Sequence, residues 1–180
     1  MTSSIGILAT LVVLLVVATV TDVRNQMIYN WNTYPGILLG FVLRWGDGGT
    51  PAVEDSLKGF AVCGGLMLVC FVLFGLGGGD LKLIAMMGAF LGFERGVDAL
   101  LWTLVLGGIL GGVVIIWQIG FVNILVQLGR QLGRVWLARG WVPLDAEARR
   151  PLKQTLFLAP AALLAVLIVT TDTWMSVVSQ

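Results

Sequence analysis

The fold class is decided by residues 5–20, IGILATLVVLLVVATV, an unbroken apolar run near the start of the chain. The apolar segment covers about 4–21 and approaches the roughly 20 residues that a helix needs to cross a bilayer. A secretory signal peptide usually carries positive charge ahead of its apolar core, but the first basic residue here is Arg24. We therefore expect this run to be a retained membrane helix and not a cleaved signal.

The composition indicates that further segments also lie in the membrane. The 180 residues are 58% hydrophobic and 12% charged, whereas soluble domains are about 45–50% apolar and about 25% charged. A soluble core of this size is too small for so many apolar side chains, so the remainder must face lipid. Other apolar segments lie at about 31–45, 57–76, 81–93, 98–124 and 155–172. The sequence thus predicts an all-α fold: a polytopic membrane helix bundle of about six transmembrane helices, with residues 1–180 forming a single membrane-embedded domain.

The loop charges predict how this bundle is oriented. If the N-terminus is outside, the inside loops hold most of the basic residues, as the positive-inside rule requires; they are Arg24, Lys82, Arg130, Arg134, Arg139, Arg149, Arg150 and Lys153. Arg44, Lys58 and Arg95 fall outside. Both termini are then extracytoplasmic.

The long inside loop, residues 125–154, is expected to be a basic cytoplasmic loop. Leu125, Leu128 and Leu132 recur in it at helical spacing, with polar residues on the other face. Such a pattern suits a helix that lies in the headgroup layer. An extension of the preceding helix into the cytoplasm fits the pattern equally well.

The composition also excludes several kinds of site. The chain contains no histidine, so histidine-dependent catalysis and histidine metal sites are impossible. Cys63 and Cys70 share one apolar segment and lack the Cys-x-x-Cys spacing of a zinc pair. A net charge of +1 offers no basic surface for nucleic acid. We expect no metal, no cofactor and no nucleic-acid partner, and a lipid bilayer as the surroundings.

Two aspartates stand against apolar helices at the predicted inside face. A carboxylate at the centre of a membrane span costs about 2.5–3.5 kcal/mol on insertion scales. Asp22 closes the first apolar segment, where it could also be only a helix cap or an interface marker. Asp80 follows the glycines of residues 77–79. Consecutive glycines suit a carboxylate held in a tight pocket, although they also suit close packing of membrane helices.

The stretches around these aspartates resemble the prepilin peptidases, a family of intramembrane aspartyl peptidases. Residues 77–80, GGGD, match the family's G-x-G-D motif, and residues 22–30, DVRNQMIYN, resemble its D-x-R-x-x-x-I-P-N stretch. Tyr29 stands where the family usually has Pro, which predicts a less rigid turn. Residues 158–161, LAPA, resemble a small-Pro-small turn that opens the family's last helix. The similarity is greatest to the short forms of tight-adherence-type pilus systems, which lack the methyltransferase part.

The resemblance implies an activity and a set of site residues. It implies an aspartic endopeptidase of the prokaryotic cytoplasmic (inner) membrane that removes the leader peptide of pilin-like precursors without a cofactor. Asp22 and Asp80 would be the catalytic pair. The residues that would shape the site are Gly77, Gly79, Lys82, Arg24, Asn30 and Pro160. Lys82 either adjusts the charge balance of Asp80 or marks the inside interface.

Other functions fit parts of the same pattern. A small transporter or channel would use the glycine break before Asp80 as an unwound helix on an ion path, although no internal repeat is present. A secretion-assembly subunit would have no catalytic role. A preflagellin-type or signal-peptide-peptidase-type protease would keep the chemistry with another substrate; the latter has a Pro-Ala-Leu motif where residues 160–162 read Pro-Ala-Ala.

Overall fold

The structure, a computed structural model, describes residues 2–74, 77–119 and 158–178, and these residues form α-helices without any strand. The predicted all-α class is therefore confirmed. The helices are α1 (Thr2–Asn25), α2 (Asn30–Phe74), α3 (Gly78–Leu91), α4 (Phe93–Ile119), α5 (Leu158–Val169) and α6 (Thr171–Val178). The predicted basic loop 125–154 and its possible interfacial helix lie outside the described residues.

Three helical stretches of the described chain are long and apolar enough to cross a membrane: Ile5–Asn25, Asn30–Leu73 and Phe93–Val114. They expose large apolar side chains such as Val13, Leu38 and Leu101. In water these surfaces would be unfavourable, and in a bilayer they face lipid. The chain is thus a membrane protein, while six spans and two extracytoplasmic termini stay predictions.

Helix α2 reverses direction at its midpoint. Gly49 has φ 62° and ψ −146°, which is not a helical conformation and lies in the region that glycine tolerates best. Eleven residues of straight helix would span about 16 Å, yet the side chains of Arg44 and Asp55 form an ion pair. The rings of Phe41 and Phe60 also meet, with centroids 5.8 Å apart. Residues 30–48, the first arm, and residues 50–74, the second arm, therefore form a helical hairpin.

Helix α3 packs between these two arms. A Cβ on Gly36 or Gly40 of the first arm would touch Met86 or Phe90, so α3 runs parallel to that arm. In the second arm the Ser56 hydroxyl donates to the Ala89 carbonyl oxygen. Residues 83–91 are all buried. An apolar helix that is covered on every side is a core element of the bundle. Because its sides contact protein, α3 can be shorter, at 14 residues, than a helix that crosses the bilayer alone.

Helices α1 and α5 cover the remaining side of α3. Buried side chains from all three helices join one apolar cluster; among them are Leu11, Leu15, Leu83, Met87, Leu158 and Val166. The buried Asn32 of α2 ties its arm to α1 by donating to the Leu14 carbonyl oxygen at 3.0 Å. As a result, the end of α1 and the starts of α2, α3 and α5 meet at one end of the bundle.

The chain divides into two compact units, residues 1–107 with 157–180 and residues 108–156. The first unit contains the hairpin, α3 and α5. The described part of the second unit is residues 108–119, the C-terminal end of α4.

Several helix bounds differ from the predicted segments. The predicted apolar segment 31–45 lies in the first arm, and the described part of segment 57–76 lies in the second arm, with the non-helical Gly49 between them. Helix α4 begins at Phe93, before the predicted start at 98, because the charged Glu94 and Arg95 point to the surface and do not oppose helix formation. Apolar segments locate the parts of a helix that are removed from water, so a prediction based on them leaves out helical turns made of polar residues.

The contact between the second arm and α3 depends on Gly59. A Cβ at this position would overlap the backbone carbonyl oxygens of Gly88 and Gly92. Since backbone atoms move only if α3 moves, we expect Gly59→Ala to lower the free energy of unfolding by about 1–3 kcal/mol. Gly65→Ala in the same arm is the matched control, because a Cβ there meets nothing within 4 Å. Unfolding in detergent micelles compares the two variants, and equal midpoints would contradict this packing.

Candidate functional site

The two aspartates singled out by the sequence lie together in the structure. Asp22 is in the last turn of α1 and Asp80 is in the first turn of α3. Their side chains are largely buried, with 7% and 9% of each residue exposed. The two carboxyl groups are close enough for their charges to interact. The fold therefore creates a pair of neighbouring carboxyl groups in a poorly solvated place.

Asp22 is held by the start of α5. The backbone N–H of Ala159 donates to its Oδ2 atom at 3.4 Å. The first amides of a helix have no partner inside the helix, so they are available to an acceptor such as a carboxylate. Pro160 follows directly, in the first turn, where proline loses no hydrogen bond. The predicted site residue Pro160 thus lies in the first turn of the helix whose N-terminus faces Asp22.

The glycines before Asp80 have separate roles. The Gly77 backbone N–H donates to the Asp80 carboxylate, and a Cβ on Gly77 would lie 2.9 Å from Asp80 Oδ2. A Cβ on Gly79 would lie 3.0 Å from the Ile28 Cβ in the connection between α1 and α2. Gly78, by contrast, faces open space. The missing side chain of Gly77 leaves space for the Asp80 carboxylate, and that of Gly79 leaves space for Ile28.

The ammonium group of Lys82 contacts residues of α2. It donates to the Asn30 side-chain oxygen at 2.8 Å and lies 5.0 Å from the centre of the Tyr34 ring. These contacts tie the start of α3 to the start of α2. Asn30 and Lys82, both predicted to shape the site, are therefore brought together, and Tyr34 joins them without having been predicted.

The connection between α1 and α2 contains the predicted Arg24 and the unusual Tyr29. Arg24 is exposed in the last turn of α1, and the structure places it outside the buried pair. Gln26 has φ 52°, and its N–H donates to the Asp22 carbonyl oxygen. The Asn25 side chain donates to the Tyr29 hydroxyl at 3.1 Å. These bonds order the turn in which Tyr29 replaces proline.

Two further contacts, those of Ala159 and Tyr34, were not predicted from the sequence. The Ala159 donor is a backbone amide, which any residue except proline supplies. Tyr34 lies one helical turn after Asn30, and that spacing was its only available signal. No group of three or more His, Cys, Asp or Glu residues able to hold a metal occurs in the part of the chain that the structure describes.

Fold and site together define a helical membrane protein with two buried, adjacent carboxyl groups at one end of its bundle. A family model described as the type IV leader peptidase family matches residues 9–112, more than half of the chain. The chain belongs to this family, as the resemblance to prepilin peptidases predicted, and the membership indicates a peptidase rather than a transporter. The matched residues include both aspartates and end before Pro160. Searches of curated proteins and of solved structures found no match.

The glycine geometry predicts unequal effects of alanine along the motif. Gly77 has φ −70° and ψ 137°, which alanine adopts freely, so Gly77→Ala should leave the fold intact. Its Cβ would displace the Asp80 carboxylate, and we expect peptidase activity to fall at least tenfold, because a misplaced reacting group loses much of its rate. Gly78→Ala should retain near-native activity. Activity assays on the purified variants test this, and equal activities would refute the assigned role of Gly77.

Proposed function

We propose that this chain is an aspartic endopeptidase that removes the leader peptide of pilin-like precursors. The observation that carries the proposal is the burial of Asp22 beside Asp80 at one end of the bundle. Membership of the type IV leader peptidase family supports both the peptidase chemistry and the class of substrate.

The carboxyl pair supplies an acid and a base in one place. Two carboxyl groups that are close together and poorly solvated do not both ionise readily, so they share one proton. The ionised group accepts a proton from water as the water attacks the scissile carbonyl carbon. The protonated group donates to the carbonyl oxygen, which becomes a hydroxyl of the tetrahedral intermediate. The pair titrates as one unit, and both aspartates take part in the proton exchange.

Collapse of the intermediate needs the reverse transfers. As the C–N bond breaks, the leaving amine accepts a proton from the carboxyl that took one from water. A hydroxyl of the tetrahedral intermediate returns its proton to the other carboxylate as the C=O bond re-forms. The pair then returns to its starting state with one shared proton. No group beyond the two carboxyls and water is required by this cycle.

The charge distribution supports cleavage at the cytoplasmic face. The orientation that follows the positive-inside rule puts the end of α1 and the start of α3 inside. A leader peptide that has not crossed the membrane would meet the site there. Leaders of the family this chain resembles are basic, so we assign the basic residues between Arg130 and Lys153 to topology and contact with anionic lipid.

Replacing either aspartate by asparagine tests the proposal. Asp22→Asn and Asp80→Asn keep the side-chain volume, remove the acid–base function and should reduce leader removal at least about a hundredfold. Both proteins should insert and fold normally. Co-expression with a pilin-like precursor shows leader loss as a gel shift.

The control for this experiment is Asp98→Asn, which changes an exposed carboxylate of α4. It should process the precursor like the native chain. If Asp22→Asn or Asp80→Asn cleaves at the native rate, the two-aspartate mechanism is wrong.

A further inference from the structure

Threonine hydroxyls in the described helices follow one pattern. Most donate to a backbone carbonyl oxygen three or four residues earlier, which satisfies the hydroxyl locally. The residues that do so are Thr10, Thr21, Thr33, Thr103, Thr170 and Thr171.

Thr19 departs from this pattern. Its Oγ atom is buried and has no hydrogen-bond partner among the described residues. A buried hydroxyl without a partner loses its hydration and gains nothing in return, so each such group in a folded protein requires an explanation. The usual bond to the carbonyl oxygen of Leu15, one turn earlier, was available and is not made.

The position of Thr19 supplies the explanation. It lies three residues before Asp22, and residues at that spacing are neighbours on a helix, with Cβ atoms about 5–6 Å apart. A threonine hydroxyl and an aspartate carboxylate both extend beyond their Cβ atoms, so rotation about the side-chain bonds brings them within hydrogen-bond distance. The unused hydroxyl is therefore within reach of a carboxyl group of the pair.

Asp22 itself is only weakly held. Its bond from the Ala159 amide measures 3.4 Å, beyond the usual 2.7–3.2 Å for an N–H donor. A second donor would fix the orientation of the carboxyl group toward Asp80 and the attacking water. A hydroxyl both donates and accepts, so it suits Asp22 whether that residue is ionised or carries the shared proton.

Resting on the proposed function, we infer that Thr19 is a positioning residue: its hydroxyl hydrogen-bonds to the Asp22 side chain during peptide hydrolysis and holds the carboxyl group toward Asp80. The residue acts through Asp22 and touches neither the peptide nor the water. Its contribution therefore belongs to the chemical step and not to substrate binding.

Two variants separate the effect of the Thr19 hydroxyl from the effect of its side-chain shape. Thr19→Val replaces the hydroxyl by a methyl group, and Thr19→Ser keeps the hydroxyl. For the full-length purified chain cleaving a leader-containing precursor, we expect Thr19→Val to lower kcat about ten- to a hundredfold, the effect of one charge-assisted hydrogen bond. KM should stay within about twofold, because uniform binding is unchanged. Thr19→Ser should restore most of kcat.

An unfolding measurement and a control variant distinguish a lost hydrogen bond to Asp22 from a general effect on folding. Unfolding of Thr19→Val in detergent should occur at or above the native midpoint, because the change removes an unpaired buried hydroxyl. Thr10→Val alters a hydroxyl of the same helix that is already bonded to the Gly6 carbonyl oxygen, and it should keep native kcat.

The outcomes distinguish this inference from the proposed function. Native kcat in Thr19→Val, or equal losses in the valine and serine variants, would overturn the role of the hydroxyl while Asp22→Asn and Asp80→Asn remain inactive. Full activity in those asparagine variants would instead remove the two-aspartate mechanism on which this inference rests.

Discussion

The structure depends on one constraint: two carboxyl groups from separate helices must be buried next to each other. Asp22 lies in the last turn of α1 and Asp80 in the first turn of α3, so the chain must leave the site after α1 and return to the same end of the bundle before α3. The hairpin of α2 does this, since its first arm runs away from the site and its second arm runs back from Gly49. The reversal at one glycine is therefore as much a part of the site as the motif glycines.

Among the described residues, backbone amides and not basic side chains offset the burial of the carboxyl pair. The Ala159 amide at the start of α5 faces Asp22, and the Gly77 amide at the start of α3 faces Asp80. Helix N-termini carry partial positive charge and favour a nearby carboxylate modestly. A lysine or arginine bonded to the pair would favour two ionised groups and remove the shared proton. The contact of Lys82 with Asn30 and Tyr34 keeps its full charge out of that position.

Sequence reasoning predicted the helical class, the membrane location and the family because these follow from composition and from side chains at fixed spacing. It also selected Asp22 and Asp80, which the structure brings together. It did not predict that both arms of α2 continue as helix through the charged and glycine-rich stretch between the segments 31–45 and 57–76, up to Gly49, because charge and glycine content there suggested a longer loop. Nor could it find the Ala159 donor, since a backbone amide leaves no mark in a sequence.

The site is completed by a helix that lies beyond the residues matched to the family. The match ends at residue 112, whereas the amide that donates to Asp22 belongs to α5, which begins at Leu158. Residues 157–180 nevertheless share a compact unit with residues 1–107. Pro160 has no backbone N–H, so the preceding residue, Ala159, is the donor to the Asp22 carboxylate. The proline therefore bears on the contact with Asp22 as well as on the start of the helix.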